Sequence, residues 1–109
     1  MVAAMLTALA SAPAPALGKA VIGAWECRSG PCIDPEIEFA LEDGKRVFRS
    51  WLHNHPGSIG EWSFDGKSVS VLCCSSATAW HYTLVRVNKK ELVLREEGQK
   101  KAAHYRRIP

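Results

Sequence analysis

After residue 19 hydrophobic and polar positions alternate with a period of two, and turn-forming residues interrupt the alternation about every ten residues. The alternation is clearest in EIEFALE, residues 36–42, where Ile37, Phe39 and Leu41 alternate with glutamates. Because successive side chains of a strand point to opposite faces, such a segment has one buried face and one face in water. The pattern is typical of an all-β protein.

The same alternation predicts a series of short strands separated by turns. Asp43-Gly44 and Asp65-Gly66 are hairpin signals, since glycine supplies the positive φ that a tight turn needs. RSGPCIDP (28–35) and HNHPGS (53–58) are predicted to be loops. Consecutive antiparallel strands with tight connections close into an up-and-down barrel, which removes unpaired edges. We therefore predict a small antiparallel barrel of about eight strands, at 19–27, 36–42, 45–52, 59–64, 67–74, 79–87, 90–96 and 100–108.

The first eighteen residues differ in composition, because no charged side chain occurs before Lys19. Small apolar residues followed by Ala8-Leu9-Ala10 or Ala14-Pro15-Ala16 are typical of a secretory signal. Proline interrupts the apolar stretch, which makes it a poor membrane-spanning helix. We interpret residues 1–18 as a signal peptide or else a flexible Ala/Pro-rich arm, and residues 19–109 as the barrel domain. The predicted location is periplasmic or secreted.

Four cysteines in a short exported chain favour a disulfide framework. A bond between Cys73 and Cys74 would join neighbouring residues and be strained. We therefore predict that Cys27 and Cys32 each bond to one of that later pair. Each such bridge would close a loop of about 40 residues and stabilise the fold by about 3–4 kcal/mol.

Composition and charge narrow the class of protein further. With 47% hydrophobic and 23% charged residues in 109 positions, the chain is predicted to form one globular domain. The net charge of +3 comes from basic doublets at 89–90, 100–101 and 106–107, among which several glutamates lie. We expect no nucleic-acid partner, and contact with a membrane surface stays open.

Short motifs give the chain a resemblance to a known family. These motifs are Gly23-x-Trp25 on the first strand, a second Gly60-x-Trp62, the Asp-Gly hairpins and the terminal YRR. Together they resemble the small lipocalin-like domains of bacterial exported proteins, within the calycin group. The resemblance implies a barrel in which Trp25 plugs one end and Arg106 or Arg107 lies across its ring. It also implies a ligand cavity in full-length members, and it does not imply catalysis.

Several side chains are candidates for binding. Aromatic residues on the strands are predicted to line the barrel core or a ligand site, namely Phe39, Phe48, Trp51, Trp80 and Tyr82. His53 and His55 lie two residues apart, which is a weak signal for a metal site. Glu36 and Glu38 share a face, but nothing in the sequence separates their pKa values, so we expect no acid–base catalysis.

The function that these observations favour is non-enzymatic binding, without a cofactor, of a small apolar ligand or a protein partner. An apolar ligand would require a cavity of about 300 Å³ or more, lined by Phe39, Trp51 or Trp80. One alternative is a periplasmic inhibitor or immunity-type protein that acts through a disulfide-held loop. Another is a metal-binding protein that uses His53 and His55.

Overall fold

The chain forms a closed antiparallel barrel whose strands are paired in sequence order. The computed structural model describes residues 14–73 and 79–109. A short helix, α1, spans Ala14–Val21. The strands are β1 (Gly23–Ser29), β2 (Glu36–Glu42), β3 (Lys45–Leu52), β4 (His55–Phe64), β5 (Ser68–Cys73), β6 (Ala79–Val87), β7 (Glu91–Glu96) and β8 (Ala103–Arg107). The predicted all-β, eight-stranded barrel is confirmed.

The up-and-down order places alternate connections at the same end of the barrel. One end, which we call the helix end, carries α1, the turns at 43–44, 65–67 and 88–90, and the C-terminal residues. The opposite loop end carries the connections at 30–35, 53–54 and 97–102. Segments that are far apart in the sequence therefore meet at one end.

The Asp-Gly signals mark two turns at the helix end. Asp43 and Gly44 have φ angles of 51° and 78°, which is the pair of positive values that a two-residue hairpin requires. The second turn is longer, because Asp65 Oδ1 accepts hydrogen bonds from the backbone N–H groups of Lys67 and Ser68 at 2.9 and 2.7 Å. Asparagine and aspartate side chains stabilise turns in this way.

Several strand boundaries differ from the predicted ones; β8, for example, begins at Ala103 rather than at residue 100, and two further differences change the type of element. The predicted first strand, 19–27, begins instead as the last turn of α1, so that the helix crosses the predicted domain boundary between 18 and 19. The predicted loop 53–58 contains only two turn residues, because His53 adopts a φ of 53° and β4 begins at His55. At the second place strand pairing overrides the local signal, because β4 pairs with β3 as far as His55, opposite Leu52.

Large side chains from all around the barrel meet in its interior. The rings of Phe39 and Phe48 are 5.5 Å apart, and Phe39 meets the ring of Trp62 edge-on at 5.4 Å. Leu41, which we predicted to share the buried face of β2, is 55% exposed because it lies at the rim of the helix end. The buried cluster consists of Val21, Trp25, Ile37, Phe39, Phe48, Trp62, Val69, Val71, Tyr82, Leu92, Leu94, Ala103 and Tyr105.

The disulfide pairing that we predicted is wrong for the first two cysteines. Cys27 and Cys32 bond to each other, across a sequence separation of five. The barrel explains this, since β1 and β5 are four strands apart and a bond from Cys27 to Cys73 would have to cross the filled interior. Because the closed loop is short, this bond stabilises the fold by about 2 kcal/mol rather than about 3–4 kcal/mol. Cys73 is also disulfide-bonded, and Cys74 lies outside the described residues.

Among the described residues, no helix has the length and apolar character needed to cross a bilayer. Residues 1–13, which include most of the predicted signal segment, lie outside the described part of the chain.

Candidate functional site

A cleft of about 940 Å³ opens at the helix end, between α1 and the turns that follow β2 and β4. Its apolar surface comes from Leu41 at the rim, from Ile22 after the helix and from Trp62 and Phe64 on β4. We call it the helix-end cleft. Its lining residues are Gly18, Lys19, Ile22, Leu41, Gly44, Lys45, Arg46, Glu61, Trp62, Phe64, Asp65 and Gly66.

Trp62 forms the floor of the helix-end cleft. Its indole Nε1–H donates to the carbonyl oxygen of Ala40 at 2.9 Å, and only 4% of the residue is exposed. The guanidinium of Arg46 lies over this ring, 5.2 Å from its centroid. A cation stacked on indole in this way is attracted to the negative face of the ring. The floor is therefore rigid, and its outer edge is cationic.

The charged groups of the cleft differ in how they are bound by neighbouring residues. In the part of the chain that the structure describes, Lys19, Lys45 and Arg46 belong to no ion pair. Asp65, in contrast, is held by its turn: hydrogen bonds from the backbone N–H groups of Ser68 and Lys67 lower the pKa of its carboxyl group. The cleft therefore combines exposed apolar surface with cations whose charge no acidic side chain of the described residues neutralises in an ion pair.

The barrel is closed next to this cleft by Trp25 and Arg107. The guanidinium of Arg107 lies 4.2 Å from the centroid of the Trp25 ring, which is fully buried. It also donates to the carbonyl oxygens of Lys89, Ile22 and Ala20 at 2.8, 3.0 and 2.9 Å. Of the two arginines that we considered, Arg107 thus takes this position.

Gly23 and Arg106 have separate roles at this closure. Gly23 has a φ of 147°, and a Cβ there would collide with Nη1 of Arg107. Only glycine allows the guanidinium to reach this place without a shift of the chain. Arg106 points to the outer surface, where it pairs with Glu26 at 2.7 Å.

The aromatic residues predicted to bind a ligand do not form one site. Phe39, Phe48 and Tyr82 belong to the buried core, and half-buried Trp80 packs against it. Trp51 pairs with Glu36, on the outer face of the sheet. None of these five aromatic residues lines the helix-end cleft, the pocket at the loop end or the pockets beside the C-terminal residues 106–109.

A second group of polar residues lies beneath the connection at the loop end. The hydroxyl of Tyr105 accepts a hydrogen bond from the backbone N–H of Ile33 at 2.9 Å, which holds this connection against the barrel. Burial raises the pKa of Tyr105 to about 12, against a backbone hydrogen bond from Ile33 that lowers it. Burial also raises the pKa of Tyr82, and the nearby Glu96 carboxylate adds to the effect.

These tyrosines predict a loss of stability at high pH. A tyrosine whose pKa is raised in the folded state stabilises the fold below its unfolded pKa, about 10, and loses that contribution as the pH rises toward the folded value. The chain contains only two tyrosines, Tyr82 and Tyr105. Absorbance at 295 nm should show little ionisation at pH 10 in the native protein and normal ionisation in urea. A normal native titration near pH 10 would contradict the prediction.

The histidine pair and the paired glutamates lie in surface positions. His53 is in the turn before β4 and His55 is the first residue of that strand, and both are exposed. No group of three histidine, cysteine, aspartate or glutamate residues within ranges 14–73 and 79–109 is arranged to hold a metal ion. Glu38 accepts from Arg49 at 3.4 Å, as expected for a solvated strand face.

Sequence reasoning missed the residues that line the helix-end cleft, above all Leu41 and Arg46. They are register partners on β2 and β3, one on each side of the Asp43-Gly44 turn. The signal was present in the predicted topology, because an up-and-down barrel brings every second turn to the same end. The sequence pattern did not predict α1, which forms the other wall of the cleft.

No protein-family model matches this chain, and comparisons with curated proteins and with solved structures likewise find no match.

Proposed function

We propose that this protein is a non-enzymatic binding protein that holds a small apolar ligand in the helix-end cleft. The observation that carries the proposal is a cleft of about 940 Å³ with exposed apolar side chains next to a filled barrel interior. Ligand sites are commonly concave and mostly apolar, with volumes of about 300–1,000 Å³. The binding surface therefore lies outside the core rather than among the aromatic residues within it.

The barrel also supports a relationship to the lipocalin-like proteins, which we include in the proposal. Its support is an antiparallel barrel of eight strands in sequence order, with Trp25 of β1 covered by Arg107 of β8. Export to an oxidising compartment is part of the same proposal. The Cys27–Cys32 bond supports it, because structural disulfides persist mainly outside the cytosol.

A titration with the neutral apolar dye N-phenyl-1-naphthylamine tests the cleft. We expect saturable binding by fluorescence, and about fivefold weaker binding in Leu41→Ser, since a ligand that covers half of this side chain gains about 1 kcal/mol. Leu72→Ser is the matched control, because Leu72 is 45% exposed and lies outside the cleft. Equal loss in both variants, or no saturable binding, would contradict the proposed function.

A cleft-filling variant gives a second reading of the same site. A Cβ on Gly18 would lie 3.3 Å from Cδ2 of Phe64, so that the side chain of Gly18→Leu points into the space between α1 and β4 and the Phe64 ring shifts by a few tenths of an ångström to admit it. Leucine is also a better helix former than glycine by about 1 kcal/mol, which protects the fold. The dye should bind this variant much less tightly at unchanged or higher thermal stability.

A second candidate function is recognition of a protein partner through the loop that Cys27–Cys32 closes. This loop presents exposed residues from Arg28 to Pro31, and its disulfide holds it in one conformation. A preorganised loop loses little conformational entropy when it binds. An inhibitor of this kind would keep its affinity in Leu41→Ser and lose it in Arg28→Ala.

A further inference from the structure

Six cations gather at the helix end from segments that are distant in the sequence. Lys19 comes from the last turn of α1, two others begin β3, and the remaining three come from the turns after β4 and β6. All six are exposed, and none of them belongs to an ion pair among the residues described. They are Lys19, Lys45, Arg46, Lys67, Lys89 and Lys90.

Acidic groups at this end are largely occupied by other partners. Glu42 is bound by Arg49 at 2.7 Å, and this hydrogen bond lowers the pKa of its carboxyl group. Glu91 pairs with Arg86 at 2.9 Å. Asp65 accepts from two backbone N–H groups of its own turn. Asp43 and Glu61 are the remaining acids near the rim, so that the end as a whole is cationic.

The basic doublets that the sequence shows are separated by the fold. Lys89 and Lys90 lie in the turn at the helix end, whereas Lys100 and Lys101 lie in the connection at the loop end. The loop end also carries acidic residues, among them Glu36, Glu96 and Glu97. The two ends of the barrel therefore differ in charge, although both carry a lysine doublet.

Apolar side chains accompany the cations at the helix end. Leu41 is 55% exposed opposite Arg46, its register partner, and Ile22 and Phe64 are half-buried on the same cleft. The chain that leads into α1, residues 1–13, contains no charged residue. A surface with basic residues around apolar ones matches the boundary between lipid headgroups and acyl chains.

We propose that the helix end docks on an anionic lipid bilayer, with the loop end directed away from it. The cations would lie at the level of the phosphates, and Leu41 would enter the boundary below them. Each basic residue near an anionic membrane adds to binding, and salt weakens this attraction by screening. In this orientation the helix-end cleft opens toward the lipid.

Two matched lysine doublets test the orientation in the full chain. We expect binding to vesicles of phosphatidylglycerol and phosphatidylcholine in a sedimentation assay at low salt, and little binding to phosphatidylcholine alone. Lys89→Gln/Lys90→Gln should lower the partition coefficient about twentyfold, because each basic residue at the surface contributes about fivefold. Lys100→Gln/Lys101→Gln makes the same change in net charge at the loop end and should lower it less than about threefold.

Three outcomes would overturn the proposal. Equal losses in the two doublet variants would show that net charge alone acts, without a docking face. Equal binding to neutral and anionic vesicles would exclude the cations as the cause. Binding to a DNA duplex with the same variant dependence, and none to vesicles, would identify a nucleic-acid surface instead. The four lysines replaced in the two doublet variants do not line the helix-end cleft. Dye binding by the same variants therefore reports separately on the proposed function.

Discussion

Replacing Phe39 with alanine should lower the free energy of unfolding by about 3–5 kcal/mol. Phe39 is fully buried, and its ring contacts the rings of Phe48 and Trp62. Removing it leaves a cavity that rigid strands of a closed barrel cannot fill, and it also removes two aromatic contacts. Urea denaturation followed by circular dichroism measures the change in midpoint and slope.

Phe64→Ala is the control for this prediction. Phe64 is a half-buried phenylalanine at the helix end, where it lines the cleft and packs against the edge of the core. Truncation of Phe64 should lower the free energy of unfolding by less than about 2 kcal/mol. It should also weaken binding of the apolar dye. A cost below about 1 kcal/mol for Phe39→Ala would mean that Phe39 borders open space, and the predicted internal ligand cavity would then regain support.

Arg107→Gln should lower the free energy of unfolding by about 3 kcal/mol, because charge-assisted hydrogen bonds and a stacked indole are lost together. The side chain donates to three backbone carbonyl oxygens, two of which lie at the end of α1 and just after it. These carbonyl groups would lose their donor, and the helix would lose its attachment to β8. Thermal unfolding and hydrogen exchange of the Trp25 indole N–H, which donates to the Val21 carbonyl, measure both effects.

Arg106→Gln is the matched control at the neighbouring position. Its guanidinium forms an ion pair with Glu26 on the outer face of β1, where 58% of its side chain is exposed. Exposed pairs contribute at most about 1 kcal/mol, so this variant should stay close to the parent protein. Similar losses in both variants would argue that Arg107 is an ordinary surface residue and that Trp25 closes the barrel without it.

Much of the helix-end cleft could be predicted from the sequence once the topology was known. The strands, the two Asp-Gly turns and the alternation of faces come from local chemistry, and an up-and-down order then brings the turns of residues 43–44 and 65–67 to the same end. The exposure of Leu41 could not be predicted from the pattern. Its alternation with Ile37 and Phe39 is perfect, but burial also depends on how far along the barrel a residue lies.

The disulfide pairing could not be predicted from the sequence for a related reason. Cysteine count and spacing allow several disulfides, and the favoured one failed because β1 and β5 lie on opposite sides of a filled interior. The helix at Ala14–Val21 was not predicted from the sequence either. It is held by hydrogen bonds from the side chains of Trp25 and Arg107, which belong to the first and last strands, to the carbonyl oxygens of Val21 and Ala20.

The sequence by itself determined the strands and their turns, because side-chain alternation and positive φ are properties of neighbouring residues. Tertiary structure alone decided which arginine covers Trp25, which cysteines bond, and which lysine doublet joins the cations of the helix end. Those outcomes depend on closure of the barrel, which brings together residues such as Trp25 and Arg107 from its first and last strands. The candidate binding surfaces are consequences of that closure.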